Sequence, residues 1–170
     1  MASTGASAKK LHITDLDEDA QRLVVRFASR DEGSPGTDRE IVLAAMSQDL
    51  GALHNVEDNM LNDKDFLLAA VRQNGYALQY ASCALRDDKD VVLEALRQDH
   101  KTLTRQNHEI FINASARLQN DKDVVVAAVK GSGEHLRWMV SAELWEDADV
   151  QLALQEHTRV LNALKRGGGK

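Results

Sequence analysis

The sequence predicts an all-α fold: a short solenoid of tandem helical hairpins, about 25 residues per repeat, with a leading helix and a long closing helix. Three observations predict it. An Asp-rich decamer recurs from Thr37 to Met46, Asn62 to Val71, Asp87 to Leu96 and Asn120 to Val129, with a worn copy from Glu146 to Val150. Counted from Asp38, Asp63, Asp88, Asp121 and Asp147, the copies are 25, 25, 33 and 26 residues apart. Pro35 is the only proline, and Ala, Leu, Asp and Val are abundant.

The elements follow in order. Residues 1–12 are small and polar and read as a tail without the apolar core of a secretory signal. A leading helix is expected from about Asp15 to Ser29, because Ala20, Leu23, Val24 and Phe27 share one helical face. It lacks the Asp-rich start and suits the role of an end cap. Asp31 to Gly36 reads as a loop. The repeats begin near residues 37, 62, 87, 120 and 146, within one helical-repeat domain spanning 13–166.

Each copy opens with Thr, Asn or Asp and carries an acid three positions on: Thr37/Glu40, Asn62/Asp65, Asp87/Asp90, Asn120/Asp123. That is capping-box spacing, and the second carboxylate suits the positive end of the helix dipole. Each cap is worth about 1 kcal/mol. Leu61 with Phe66, and Trp145 with Val150, have the spacing of hydrophobic staples.

The first helix of each repeat places apolar residues at i, i+1, i+4 and i+5. The sets are Ile41, Val42, Ala45, Met46; Phe66, Leu67, Ala70, Val71; Val91, Val92, Ala95, Leu96; and Val124, Val125, Ala128, Val129. Two adjacent stripes mean a helix packed on more than one side. A turn follows, with Gly75 suited to a left-handed cap. A shorter second helix carries Leu53, Val56, Met60; Leu78, Ala81, Leu85; Phe111, Ala114, Leu118; and, in the fourth copy, Leu136, Val140, Leu144. The closing helix starts near Asp147 and ends at Lys165 and Arg166, and residues 167–170 form a second tail. The third repeat holds eight extra residues within roughly Gln98 to Asn107, and insertions in solenoids map to loops on one face, often the binding face.

The run from Asn62 to Ser82 resembles the short helical repeats of domain of unknown function 4116. The likeness covers residues 62–97 and 119–130 and extends more loosely over 38–61 and 133–155. Such repeats are common in algae and other protists and occur in some intracellular bacteria. The resemblance implies a stack of helical pairs and an algal or protist source. It implies no activity and no catalytic residues.

Net charge is −6, from 21 Lys plus Arg against 27 Asp plus Glu, which argues against nucleic acid or an anionic membrane as partner. No apolar run has the roughly 20 residues of a membrane span. Cys83 is the only cysteine, so no intrachain disulfide forms, in keeping with an intracellular, reducing compartment. It is read as a small hydrophobe in mid-helix. The six histidines show neither i, i+4 pairs nor zinc spacing, and His157 falls on the closing helix's apolar stripe as a half-buried packing residue. No acid, base and nucleophile can be assembled, so the chain is read as a non-enzyme without cofactor or metal.

The acidic pairs Asp63/Asp65, Asp88/Asp90, Asp121/Asp123 and Asp147/Asp149 are read as caps. Calcium is the alternative, disfavoured because each second Asp runs straight into a helix with no Gly and no distal Glu. The function expected is a protein–protein interaction or structural subunit inside a larger assembly; the runner-up is a calcium-responsive module. Contact residues are expected at Tyr76, Arg97, His100, Lys101, Arg105, His108 and Trp138. Tyr76, beside Gly75, is the aromatic expected to be exposed; Trp138 has core packing as its competing role.

Overall fold

Asp, Ser and Asn side chains cap the starts of most of the described helices. The computed structural model describes residues 35–99 and 107–167, in which there is no strand. The leading helix, the first tail, residues 168–170 of the second, and His100, Lys101 and Arg105 of the insertion lie outside the described residues, whereas Gly167, expected in the second tail, ends the last helix. The chain divides into two compact units, Met1–Val56 and Glu57–Lys170.

The described part of the first unit is helix α1 (Pro35–Met46) and a 3-10 helix η1 (Leu50–Asn55), packed on each other. Pro35 and Gly36 therefore belong to the first turn of α1, not to a loop. Proline is favoured at a helix start, where its missing N–H leaves no bond unmade. Asp49 opens η1 by accepting from the Gly51 N–H at 2.9 Å. Val42, Ala45, Met46 and Leu53 are buried.

The second unit begins with α2 (Asp58–Leu61), α3 (Lys64–Gln73), the 3-10 helix η2 (Gly75–Tyr80), α4 (Cys83–Arg86) and α5 (Lys89–Asp99). It continues with α6 (Asn107–Asn113), α7 (Ala116–Gln119), α8 (Lys122–Ser132), the 3-10 helix η3 (Gly133–Leu136), α9 (Ala142–Trp145) and α10 (Ala148–Gly167). The long helices pack in chain order: α3 on α5, α5 on α8, α8 on α10. Both expected stripes of α3, α5 and α8 are buried, from Phe66 and Leu67 through Ala128 and Val129. The closing helix starts and stops within a residue of its expected ends.

The expected second helix is two pieces. After α3 they are η2 and α4, separated by Ala81 and Ser82 in extended conformation. The cause is a second set of caps. Ser82, Ser115 and Ser141 precede α4, α7 and α9, and each hydroxyl accepts from the N–H three residues on, at 3.2–3.4 Å. The stripe Leu78, Ala81, Leu85 is still buried, because it spans the break on one side.

Gly75 is not a left-handed cap. It is the first residue of η2 and is buried. A Cβ there would meet the Ala95 carbonyl oxygen at 2.5 Å and Ile110 Cδ1 at 2.8 Å. The glycine is needed for close approach of η2 to α5 and α6. Among the described glycines the one with positive φ is Gly133, at 58°, which ends α8 and brings the chain under His157. His157 is half-buried, as expected, and its Nδ1–H donates to the Lys130 carbonyl at 2.8 Å. Trp145 and Val150 are both buried, as a staple requires.

Candidate interaction surface

The repeated Asp-Lys-Asp triplet performs two jobs, one within its helix and one between helices. Within the helix, the first Asp is the cap: Asp63 accepts from the Phe66 N–H at 2.8 Å. Asp88 accepts from Asp90 and Val91 at 3.0 and 3.3 Å. Asp121 accepts from Asp123 and Val124 at the same distances, and Asp147 from Asp149 at 2.9 Å. The cap thus sits one residue later than the capping-box spacing places it. Asn and Asp are adjacent, and both are good caps, so spacing alone chose the wrong one.

Between helices, the lysine of one triplet reaches the two Asp of the next. Lys64 Nζ lies 2.7 Å from Asp88 and 3.3 Å from Asp90. Lys89 Nζ lies 2.8 Å from Asp121 and 2.7 Å from Asp123. Lys122 Nζ lies 3.0 Å from Asp147 and 2.5 Å from Asp149. The series ends at α10, where Ala148 stands in the lysine's place. Asp90, Asp123 and Asp149 are therefore salt-bridge acceptors and not the second halves of capping boxes.

The charges respond accordingly. Burial opposes ionisation of Asp88 and Asp121, yet the lysine and two backbone N–H groups hold both carboxyls below their ordinary range. Lys122 holds the Asp147 carboxyl low in the same way, and the hydrogen bonds that Lys64, Lys89 and Lys122 donate to the Asp pairs raise the three lysines. For calcium the pairs Asp88/Asp90, Asp121/Asp123 and Asp147/Asp149 are crowded sites: an ammonium already supplies the positive charge each would take from a metal. Among the described residues no group of three or more His, Cys, Asp or Glu has metal-binding geometry.

Asp87, expected as a cap, joins the end of α4 to the start of α7 instead. Its carboxylate accepts from the Ser115 hydroxyl and from Arg117 Nε at 3.0 Å, while Arg117 Nη2 donates to the Asp87 carbonyl at 2.7 Å. Ser115 and Arg117 hold this carboxyl below its ordinary range.

Of the expected contact residues, Tyr76, Arg97, His108 and Trp138 lie among the described residues. Trp138 is 76% exposed, in the turn between η3 and α9, and takes no core role. Arg97 is exposed and lies 3.8 Å from Glu94 across one helical turn. His108 is half-buried on α6. Tyr76 is half-buried with its hydroxyl oxygen out of solvent, contrary to expectation. The cause is Asn74: its side chain accepts from the Tyr76 N–H at 3.0 Å and starts η2 there, turning the ring inward. Cys83 also departs from expectation. It opens α4, is exposed, and accepts from Arg86 Nη2 at 3.3 Å, on the wall of a cleft of about 300 Å³ with Asp58 and Tyr80.

Residues 38–82 and 75–105 match the family described as domain of unknown function (DUF4116). The matches run from α1 through α5 and carry no assigned activity. No curated protein and no solved structure matches the chain. No helix among the described residues is long and apolar enough to cross a membrane.

Proposed function

We propose that this chain is a non-enzymatic interaction or structural subunit, built as a short solenoid of tandem helical hairpins of the algal and protist type. Its place is a larger protein assembly in a reducing, intracellular compartment. Trp138 carries the reading. It is the most exposed large apolar side chain among the described residues, at 76%. Tryptophan is among the commonest anchors of protein interfaces, because one ring fills a pocket and its N–H donates at the rim. The lysine ladder supports the same reading. It fixes each helix against the next and gives the surface a rigid spacing, which a binding surface needs and a flexible chain lacks.

Size-exclusion chromatography of a lysate from the native source, probed for this chain, tests the proposal. Co-elution with a much larger assembly, lost on Trp138→Ala, is the expected outcome. Elution near 18.8 kDa refutes a stable subunit.

A further inference from the structure

The outward face of α10 is self-complementary when two copies run antiparallel. Asp149, Leu152, Glu156, Arg159, Ala163 and Arg166 are all exposed and recur at intervals of three and four residues, which places them on one face of the helix. The acids lie in the first half of the helix and the arginines in the second. Reversed on itself about a point between His157 and Thr158, the face sets Asp149 opposite Arg166, Glu156 opposite Arg159 and Leu152 opposite Ala163. Every rung of that register is matched, acid to cation and apolar to apolar. A parallel pairing sets like charge against like.

We propose that α10 pairs antiparallel with α10 of a second copy, forming a two-fold dimer. Leu152 is 55% exposed and Val160, at the edge of the face, 46% exposed. Among the described residues neither Arg159 nor Arg166 has an ion-pair partner in its own chain. The acids are already paired from one side, Asp149 with Lys122 at 2.5 Å and Glu156 with Lys130 at 3.5 Å, and each keeps most of its side chain in solvent. The order of charge selects the occupant. An anionic lipid surface would attract the second half of the helix and repel the first. A surface running from basic to acidic satisfies both halves, and α10 read in reverse is such a surface. A two-fold interface also closes on itself, so it stops at two copies.

Sedimentation equilibrium of the full chain at low ionic strength tests this. The mass is expected to rise with concentration from 18.8 kDa toward twice that value, and added salt is expected to oppose the rise. Arg159→Glu, which breaks no pair within the chain, is expected to weaken association roughly tenfold. The swap Glu156→Arg with Arg159→Glu is expected to restore it, and Trp138→Ala, outside the face, to leave it unchanged. Far-UV circular dichroism equal to the parent checks that each variant folds. A mass fixed at 18.8 kDa overturns the dimer, as does a charge swap that fails to recover it. Either result leaves the Trp138 reading untouched.

Discussion

Replacing Gly75 separates two explanations of the same glycine. A left-handed cap would need its backbone freedom, whereas the structure needs its missing side chain. The added Cβ of Gly75→Ala would lie 2.5 Å from the Ala95 carbonyl oxygen, a backbone atom in the middle of α5. It would also lie 2.8 Å from Ile110 Cδ1. The isoleucine can rotate; the carbonyl cannot, because it belongs to the helix. Either η2 or α5 must shift by several tenths of an ångström, and overpacking of this kind costs about 1–3 kcal/mol. At about 2–4 °C per kcal/mol for a chain of this size, the melting temperature falls by about 2–12 °C. Urea unfolding followed by circular dichroism is the assay, with the slope unchanged and the midpoint lowered. Gly75→Asn is the deciding variant. Asn tolerates the left-handed region better than Ala, so a cap would suffer less from Asn. Close approach predicts the reverse, since Asn carries the same Cβ and more beyond it. An Asn variant more stable than the Ala variant, or a neutral Ala variant, refutes the steric account.

The lysine ladder supports three further expectations. Lys89→Met keeps the stem and removes the charge that holds Asp121 and Asp123 together, so the urea midpoint falls, and falls less in high salt. Stability depends on pH at both extremes, as melting temperatures across pH would show. The depressed carboxyls of Asp88, Asp121 and Asp147 contribute fully above their ordinary value of 3.8, and that contribution is lost as pH falls through their lower folded values. The raised lysines contribute fully below 10.5, and that contribution is lost as pH climbs through their higher folded values, leaving a plateau between. Millimolar calcium leaves the melting temperature unchanged, because at Asp88/Asp90, Asp121/Asp123 and Asp147/Asp149 it must displace an ammonium; a calcium-dependent rise would restore the metal-responsive reading.

The long helices were legible because their signal is local. Apolar residues at i, i+1, i+4 and i+5 can be buried together only in a helix, and Phe66, Leu67, Ala70 and Val71 are buried as that pattern requires. The second helix misled because its stripe is indifferent to a break. Leu78, Ala81 and Leu85 reach the core whether the backbone is continuous or bent between them. The signal that marks the break is Ser82, repeated as Ser115 and Ser141, each three residues before a buried or half-buried leucine. Gly75 misled for a different reason. Its constraint comes from Ala95 and Ile110, which no local rule places beside it.

The candidate surface was less legible, because its chemistry runs between helices far apart in the sequence. Lysine between two aspartates reads locally as a solvated helix start. Its partner lies 24 to 34 residues away, and only the recurrence of the triplet hints that the charges belong together. The same comparison shows how the series stops. Where α3, α5 and α8 bury Leu67, Val92 and Val125, α10 has Gln151, which donates to the Trp145 carbonyl at 2.8 Å. Where they bury Val71, Leu96 and Val129, it has exposed Gln155. With Ala148 in place of the lysine, α10 lacks both the apolar stripe and the cation that a further copy of the seam would use. Its outer face is instead ordered by charge along its length, acid first and base last. A helix that only ended the stack would need polarity there, not that order, and the order is what a second copy can read.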